Sequence, residues 1–207
     1  MSESIVNIAQ RVGALSGVER ILLLTPGPHG VGMLNGLLDA LDRSKCVVLD
    51  SDRARLTSVS APGVRARAVR LPFLRHSFGA VLSFESLYAI RPPWTVLAEF
   101  HRVLVPDGVL LLLEPAAHGF FSALRDRVAG PGKRIFTLDE VKSRLARADY
   151  AIDRVEENLR VEGFRWPAYA VRAIKKENPA EPVPQYKTAR EMIEARKKKI
   201  PAGEELP

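Results

Sequence analysis

The chain has 207 residues, 46% of them hydrophobic and 27% charged, with a net charge of +7 and a single cysteine, Cys46. That length and balance fit one globular domain with a filled core and some appendage. They exclude an internal disulfide and a cysteine-rich zinc site, and the longest apolar run, Val109 to Leu113, is too short to cross a bilayer. The opening Met-Ser-Glu-Ser-Ile has no basic stretch leading into an apolar one. The expectation is an intracellular, cytoplasmic protein without membrane contact. From Lys175 onward the sequence carries eight basic and six acidic residues, so most of the positive excess lies in the body. Much of it is Arg53, Arg55, Arg65, Arg67, Arg70 and Arg75. Such a patch suits RNA, an acidic protein or an anionic ligand, and equally a plain solvated surface.

In chain order, Ile5, Ile8, Ala9, Val12 and Leu15 at helical spacing predict a leading helix over 3–15. A short apolar run over 20–25, ended by Pro and Gly, predicts a buried parallel strand. The turn Pro26-Gly27-Pro28-His29-Gly30 then leads into a helix from Val31 to Leu41. Cys46 to Asp50 reads as a second buried strand and 51–59 as the helix after it. A third strand is expected near 64–69, a fourth over 80–84, a helix over 93–104 and a fifth strand over 109–114. Thr137 and Glu140 form a capping-box pattern at the head of a helix running to Ala148. Two longer strands, 151–161 and 168–174, suit a closing antiparallel hairpin. Residues 177–186, with Pro179, Pro182 and Pro184, read as an extended linker, followed by a short charged helix over 187–199.

Short apolar strands alternating with helices make an α/β fold, a mostly parallel, doubly wound sheet in three α/β/α layers with a C-terminal antiparallel hairpin. Ligands in such sheets bind beyond the carboxyl ends of the strands. The turns 25–30, 50–53, 67–75, 84–91 and 114–118 are therefore the places to look for a site.

Four segments stand in a telling order: Leu71-Pro-Phe, Ser77-Phe78, the run from Glu99 through Arg102 to Gly108, and an apolar strand ending Glu114-Pro115. Together they resemble the class I S-adenosylmethionine-dependent methyltransferases of the small-molecule, type 11-like kind. A coarser similarity covers 18–175. This divides the chain into an N-terminal helix (1–17), a methyltransferase-like domain with a Rossmann-like fold (18–175), and a Pro-rich linker and charged tail (176–207).

The resemblance implies S-adenosylmethionine as cofactor and assigns its contacts. The loop after the first strand would supply Thr25, Gly27, His29 and Gly30. Asp50, with Ser51 beside it, would accept hydrogen bonds from the ribose hydroxyls, and Asp52 could substitute. A carboxylate at a strand end can equally be the N-cap of the next helix. Arg67 falls at the position contacting adenine, and Leu71 and Phe84 complete the expected set. Three family acids are replaced, by Thr25, Arg67 and Gly79, while Pro26 and Pro28 stiffen the glycine loop. Arg67 offers donors only and cannot accept from an adenine amine. This degenerate cofactor motif points to weakened or altered cofactor binding.

Methyl transfer is driven by positioning and desolvation, so no catalytic residue is obligatory. Glu85 and Tyr88 are the acceptor-facing candidates, Glu85 as a base toward a hydroxyl or amine. Arg91 and Trp94 lie nearby in sequence, and Glu114 and His118 beyond the fifth strand. With four scattered histidines and one cysteine, no metal is expected. Two functions remain open. One is methyl transfer to an unknown acceptor. The other is a catalytically inactive binding or scaffold partner in a larger assembly, protein or RNA, joined through the basic face and the tail. A third possibility places a different, anionic ligand in the same crevice.

Overall fold

The computed structural model describes residues 2–13, 15, 17–24, 30–116, 134–164 and 166–176. Expectations for Thr25, Gly27, His29, His118, the linker and the tail helix lie outside these residues.

Every residue of Ile21–Leu24 (β1) and of Cys46–Asp50 (β2) is buried. Strands buried on both faces need helices on both sides, and the period of two along a strand divides each between two cores. Leu22 and Leu24 of β1 enter one apolar cluster, together with Leu97 and Phe100 of Pro93–Val103 (α5) and Val141 and Leu145 of Leu138–Arg147 (α6). Ile21 and Leu23 enter the other, with Ile5, Ile8, Ala9 and Val12 of Ile5–Gly13 (α1) and Leu34, Leu37 and Leu38 of Gly30–Ala40 (α2). The predicted leading helix thus packs directly on the sheet.

The remaining strands are Gly63–Arg65 (β3), Phe78–Phe84 (β4), Leu104–Pro115 (β5), Tyr150–Leu159 (β6) and Ala168–Lys175 (β7), and the sheet order is β3-β2-β1-β4-β5-β7-β6. Only β7 runs against its neighbours, pairing antiparallel with both β5 and β6. The expected hairpin is present and closes this edge of the sheet. Its outer strand, β6, is mostly exposed and carries Asp153, Arg154, Glu156 and Glu157, charges that blunt an open edge. The capping box is also present: Thr137 Oγ1 accepts from the Glu140 amide at 3.2 Å, and Glu140 accepts from the Thr137 amide at 2.8 Å.

Several element bounds differ between sequence and structure; the helix expected over 51–59, for example, spans only 53–57. Strand β3 has three residues instead of six, because 66–70 leave the sheet and turn over its end. Strand β5 begins at Leu104, not Val109: Leu104 pairs with Phe78, and the register then shifts before Val109 pairs with Ala80. The intervening bulge has Asp107 at φ 57°, and a Cβ on Gly108 would meet the Val105 carbonyl at 2.8 Å. The turn read at 84–91 contains a four-residue helix, Ser86–Ala89 (α4), too short to leave a periodic pattern.

The segments that carried the resemblance are physically joined. Arg102, on α5, donates from Nη2 to the Leu71 carbonyl (3.0 Å) and from Nη1 to the Phe73 carbonyl (2.7 Å). The Leu71 amide donates to Glu99 at 2.6 Å, and Glu99 is itself paired with Arg102 at 2.7 Å. The Glu-x-x-Arg run therefore clamps the Leu-Pro-Phe turn against the sheet.

Candidate functional site

The chain starts the sheet at β1, builds outward to β3, then crosses back to β4 on the other side of β1. The strand order reverses between β1 and β4, and a crevice is expected beyond the carboxyl ends of those strands. A cleft of about 410 Å³ occupies that place. Leu24, Leu49 and Asp50 floor it from the ends of β1 and β2, Ala66–Val69 wall one side, and Glu85, Ser86 and Ala89–Arg91 wall the other. The lining is mixed: small and branched apolar side chains, with Asp50, Arg55, Arg67, Glu85 and Arg91 as its charges.

Asp50 is the most constrained of these. It is 5% exposed, its Oδ1 accepts from the Asp52 amide at 2.8 Å, and its two oxygens accept from Arg55 Nε and Nη2, each at 2.7 Å. A carboxylate at this depth needs charge-assisted partners, and a guanidinium fork supplies two at once. The hydrogen bonds hold Arg55 protonated above its ordinary range. Helix capping at this point falls to Asp52, whose Oδ1 accepts from the Ala54 amide at 2.8 Å and opens Arg53–Thr57 (α3). Asp50 is thus free of that structural duty.

Arg67 is exposed on the cleft wall, and Ser51 lies beside Asp50 at the rim, its carbonyl accepting from Arg65 Nε at 3.2 Å. Gly30 opens α2 at the end of the loop that follows β1. Leu71 and Phe84 are placed elsewhere than expected. Leu71 is 0% and Phe84 1% exposed, both in the apolar cores and neither on the cleft wall. Gly79 is also remote. Its amide donates to the Arg20 carbonyl at the head of β4, six residues before Glu85, so roughly 20 Å of strand separates it from the cleft. Gly79 therefore lies away from the cleft, and of the replaced acids only Arg67 lines it among the described residues.

On the opposite wall Glu85 adopts a left-handed conformation, φ 51° and ψ 23°, at the junction of β4 and α4. A non-glycine residue there carries a cost of about 1–3 kcal/mol, and such outliers cluster at functional sites. Its amide is fixed to the Leu113 carbonyl at 2.9 Å. Tyr88 is half-buried and absent from the cleft wall; its amide donates to Glu114 Oε2 at 3.1 Å. Glu114, 2% exposed, also accepts from the Leu87 amide at 3.0 Å, so it pins α4 from below. Burial outweighs those amides and pushes its carboxyl up to about 8. His101 lies on α5, edge-on to Tyr150, with burial lowering its basicity. Sequence reasoning did not single out Arg55 within its basic cluster; its place five residues after Asp50, in the first turn of the next helix, was the available signal. Among the described residues no three His, Cys, Asp or Glu side chains come together to hold a metal ion. No helix among them is long and apolar enough to cross a membrane.

Residues 29–112 match a family described as a methyltransferase domain. Among curated proteins, none matches the chain. Several solved structures share its fold. An S-adenosylmethionine-dependent methyltransferase from Methanosarcina mazei is 19% identical, over 86% of this chain and 100% of that one, with a TM-score of 0.64. The 1,6-didemethyltoxoflavin-N1-methyltransferase of Burkholderia thailandensis, with 1,6-didemethyltoxoflavin and S-adenosylhomocysteine bound, is 16% identical over 84% and 80%, with a TM-score of 0.63. The [4+2]-cyclase SpnF is 17% identical over 84% and 80%, with a TM-score of 0.65.

Proposed function

We propose, from the match of residues 29–112 to a methyltransferase-domain family and from the shared fold, that this protein is an S-adenosylmethionine-dependent methyltransferase working from the cleft around Asp50. The observation that carries the reading is Asp50 itself: a buried carboxylate at the end of β2, on the cleft floor, relieved of helix capping by Asp52. The volume of about 410 Å³ lies within the roughly 300–1,000 Å³ of ordinary ligand pockets. Asp50 would accept from the ribose hydroxyls, and Leu49, Ala68 and Val69 offer apolar contact to a flat base. Arg67 would stack on that base or donate to its ring nitrogens, and cannot accept from its amine.

The cofactor supplies a methyl group on a sulfonium, and the protein's task is to hold an acceptor in line with it and exclude water. The left-handed turn at Glu85 aims a carboxylate from the β4 end over the cleft. There it would take the proton that a hydroxyl or amine acceptor must lose. Arg91, whose Nη1 donates to the Leu87 and Ile90 carbonyls, gives the same wall a fixed positive charge for an anionic acceptor.

Calorimetric titration of S-adenosylhomocysteine into the protein tests the reading. Micromolar binding that Asp50→Ala weakens by about 10- to 100-fold supports it. The absence of heat at millimolar ligand refutes it.

The Arg55–Asp50 pair favours a second reading, in which the fold serves without methyl transfer. The similarity to a protein described as a [4+2]-cyclase supports its plausibility, since one fold hosts several chemistries. The protein would then act as a binding partner through its basic face, and retention of the protein by RNA in a salt-dependent manner, without cofactor binding, would select it.

A further inference from the structure

We propose that Arg55 is a built-in competitor for the cleft, its guanidinium occupying the two Asp50 oxygens that a ligand's vicinal diol must use, so that Arg55 sets the affinity for nucleoside-type ligands. This rests on the reading of the cleft as a cofactor site.

A ribose diol donates one hydrogen bond to each oxygen of a carboxylate. In this protein Oδ2 already accepts from Arg55 Nε and Oδ1 from Arg55 Nη2, each at 2.7 Å, with the Asp52 amide also on Oδ1. The fork's bonds carry charge on both partners and come as a planar pair, whereas a neutral hydroxyl brings no charge of its own. Oδ1 already carries two donors, so a diol that bridges both oxygens has to displace the fork at Nη2.

The fork is placed to be displaced. Arg55 lines the cleft itself, and its side chain is 29% exposed. It stands on α3, five residues long and without a buried residue, where Leu56 rather than Arg55 packs on the apolar core. A second partner is already at hand: Nη1 lies 3.6 Å from Asp52 Oδ2, and Asp52 is 46% exposed. Swinging from Asp50 to Asp52 keeps the arginine paired while it frees the floor of the cleft. The two arrangements make a closed and an open state, and a ligand that binds only the open one has its apparent affinity reduced by the open fraction.

The test is calorimetric titration of S-adenosylhomocysteine into the full chain and its Arg55→Ala, Arg55→Lys, Asp50→Asn and Asp50→Asn/Arg55→Ala variants, with the melting temperature of each ligand-free protein. An open fraction of roughly 1–10% gives Arg55→Ala about a 10- to 100-fold tighter Kd. The same variant lowers the ligand-free melting temperature, because a buried carboxylate loses its partner. Opposite signs of the two changes are the signature, since a purely structural pair would lower the melting temperature alone. Arg55→Lys, which keeps the charge and loses the fork, falls between, and serves if the alanine variant does not fold. Removing Arg55 from Asp50→Asn brings no tightening. Unchanged or weaker binding by Arg55→Ala, with the parent protein binding, overturns the competition and leaves the cofactor reading intact. Failure of all five proteins to bind at millimolar ligand overturns both.

Discussion

At Glu114, the balance between burial and two amide hydrogen bonds decides a pH dependence. The unfolded chain loses this proton near 4.5 and the folded protein near 8, so the folded state holds the extra proton between those values. The stabilisation is complete below about pH 4.5 and is lost as pH rises through 8. Denaturant titrations between pH 5 and pH 9 should therefore show stability falling by an amount on the order of 3 kcal/mol from this group. Glu114→Gln should flatten that slope, at the cost of one amide bond, because its nitrogen cannot accept. A slope unchanged by the substitution would place the titration elsewhere. At Glu85 the argument is conformational. Glycine adopts φ 51° without a Cβ penalty, so Glu85→Gly should raise stability by about 1 kcal/mol. If the carboxylate is the acceptor's base, the same variant should keep S-adenosylhomocysteine binding and lose turnover. A variant that is less stable would show that the left-handed turn is no strain. Neither residue's environment could be read from the sequence. Glu114 was legible only as an acid after a strand, and the turn holding Glu85 has none of the glycine that usually announces positive φ.

Among elements, the strands were the most legible, since β1 and β2 are short apolar runs buried on both faces, and β2 has the predicted bounds. Helix α6 was announced by its capping box, in which Thr137 and Glu140 exchange hydrogen bonds across one turn. Less legible were elements whose ends depend on partners distant in sequence. Leu104 joins β5 only because Phe78 is there to pair with it, and β3 stops at Arg65 because the next residues are drawn over the cleft. The clamp between α5 and the Leu-Pro-Phe turn belongs to this scale. Glu99 and Arg102 are 17% and 16% exposed, and between them they satisfy the Leu71 amide and the Leu71 and Phe73 carbonyls. Arg102→Ala removes all its guanidinium bonds at once and takes the arginine from Glu99, so it should cost about 3–5 kcal/mol by chemical denaturation. A cost below about 1 kcal/mol would mean that water replaces the arginine without loss.

For the molecule as a whole, the sheet order explains why the site lies where it does. A chain that starts in the middle of its sheet and builds out both ways must leave a crevice at the reversal, and Asp50, Arg55, Arg67 and Glu85 meet there from four separate segments. Sequence order placed three of them in the right turns. It could not show that Gly79, counted with them, belongs to the opposite end of the sheet, nor that Leu71 and Phe84 point into the cores. Depth and direction come from packing, and position in a motif does not carry them. The positive excess is likewise a property of the whole. Arg53, Arg65, Arg67 and Arg70 are exposed, while Arg55 turns inward to Asp50, so the basic face is smaller than the composition suggests.

We propose that this fold holds S-adenosylmethionine through Asp50, a carboxylate that Arg55 contests. The most direct measurement is the affinity for S-adenosylhomocysteine by calorimetry, on the parent protein and on Asp50→Ala. Binding is expected at micromolar concentrations or somewhat above, weakened by about 10- to 100-fold in the variant. Binding that is indifferent to Asp50→Ala, or none at millimolar ligand, would contradict it.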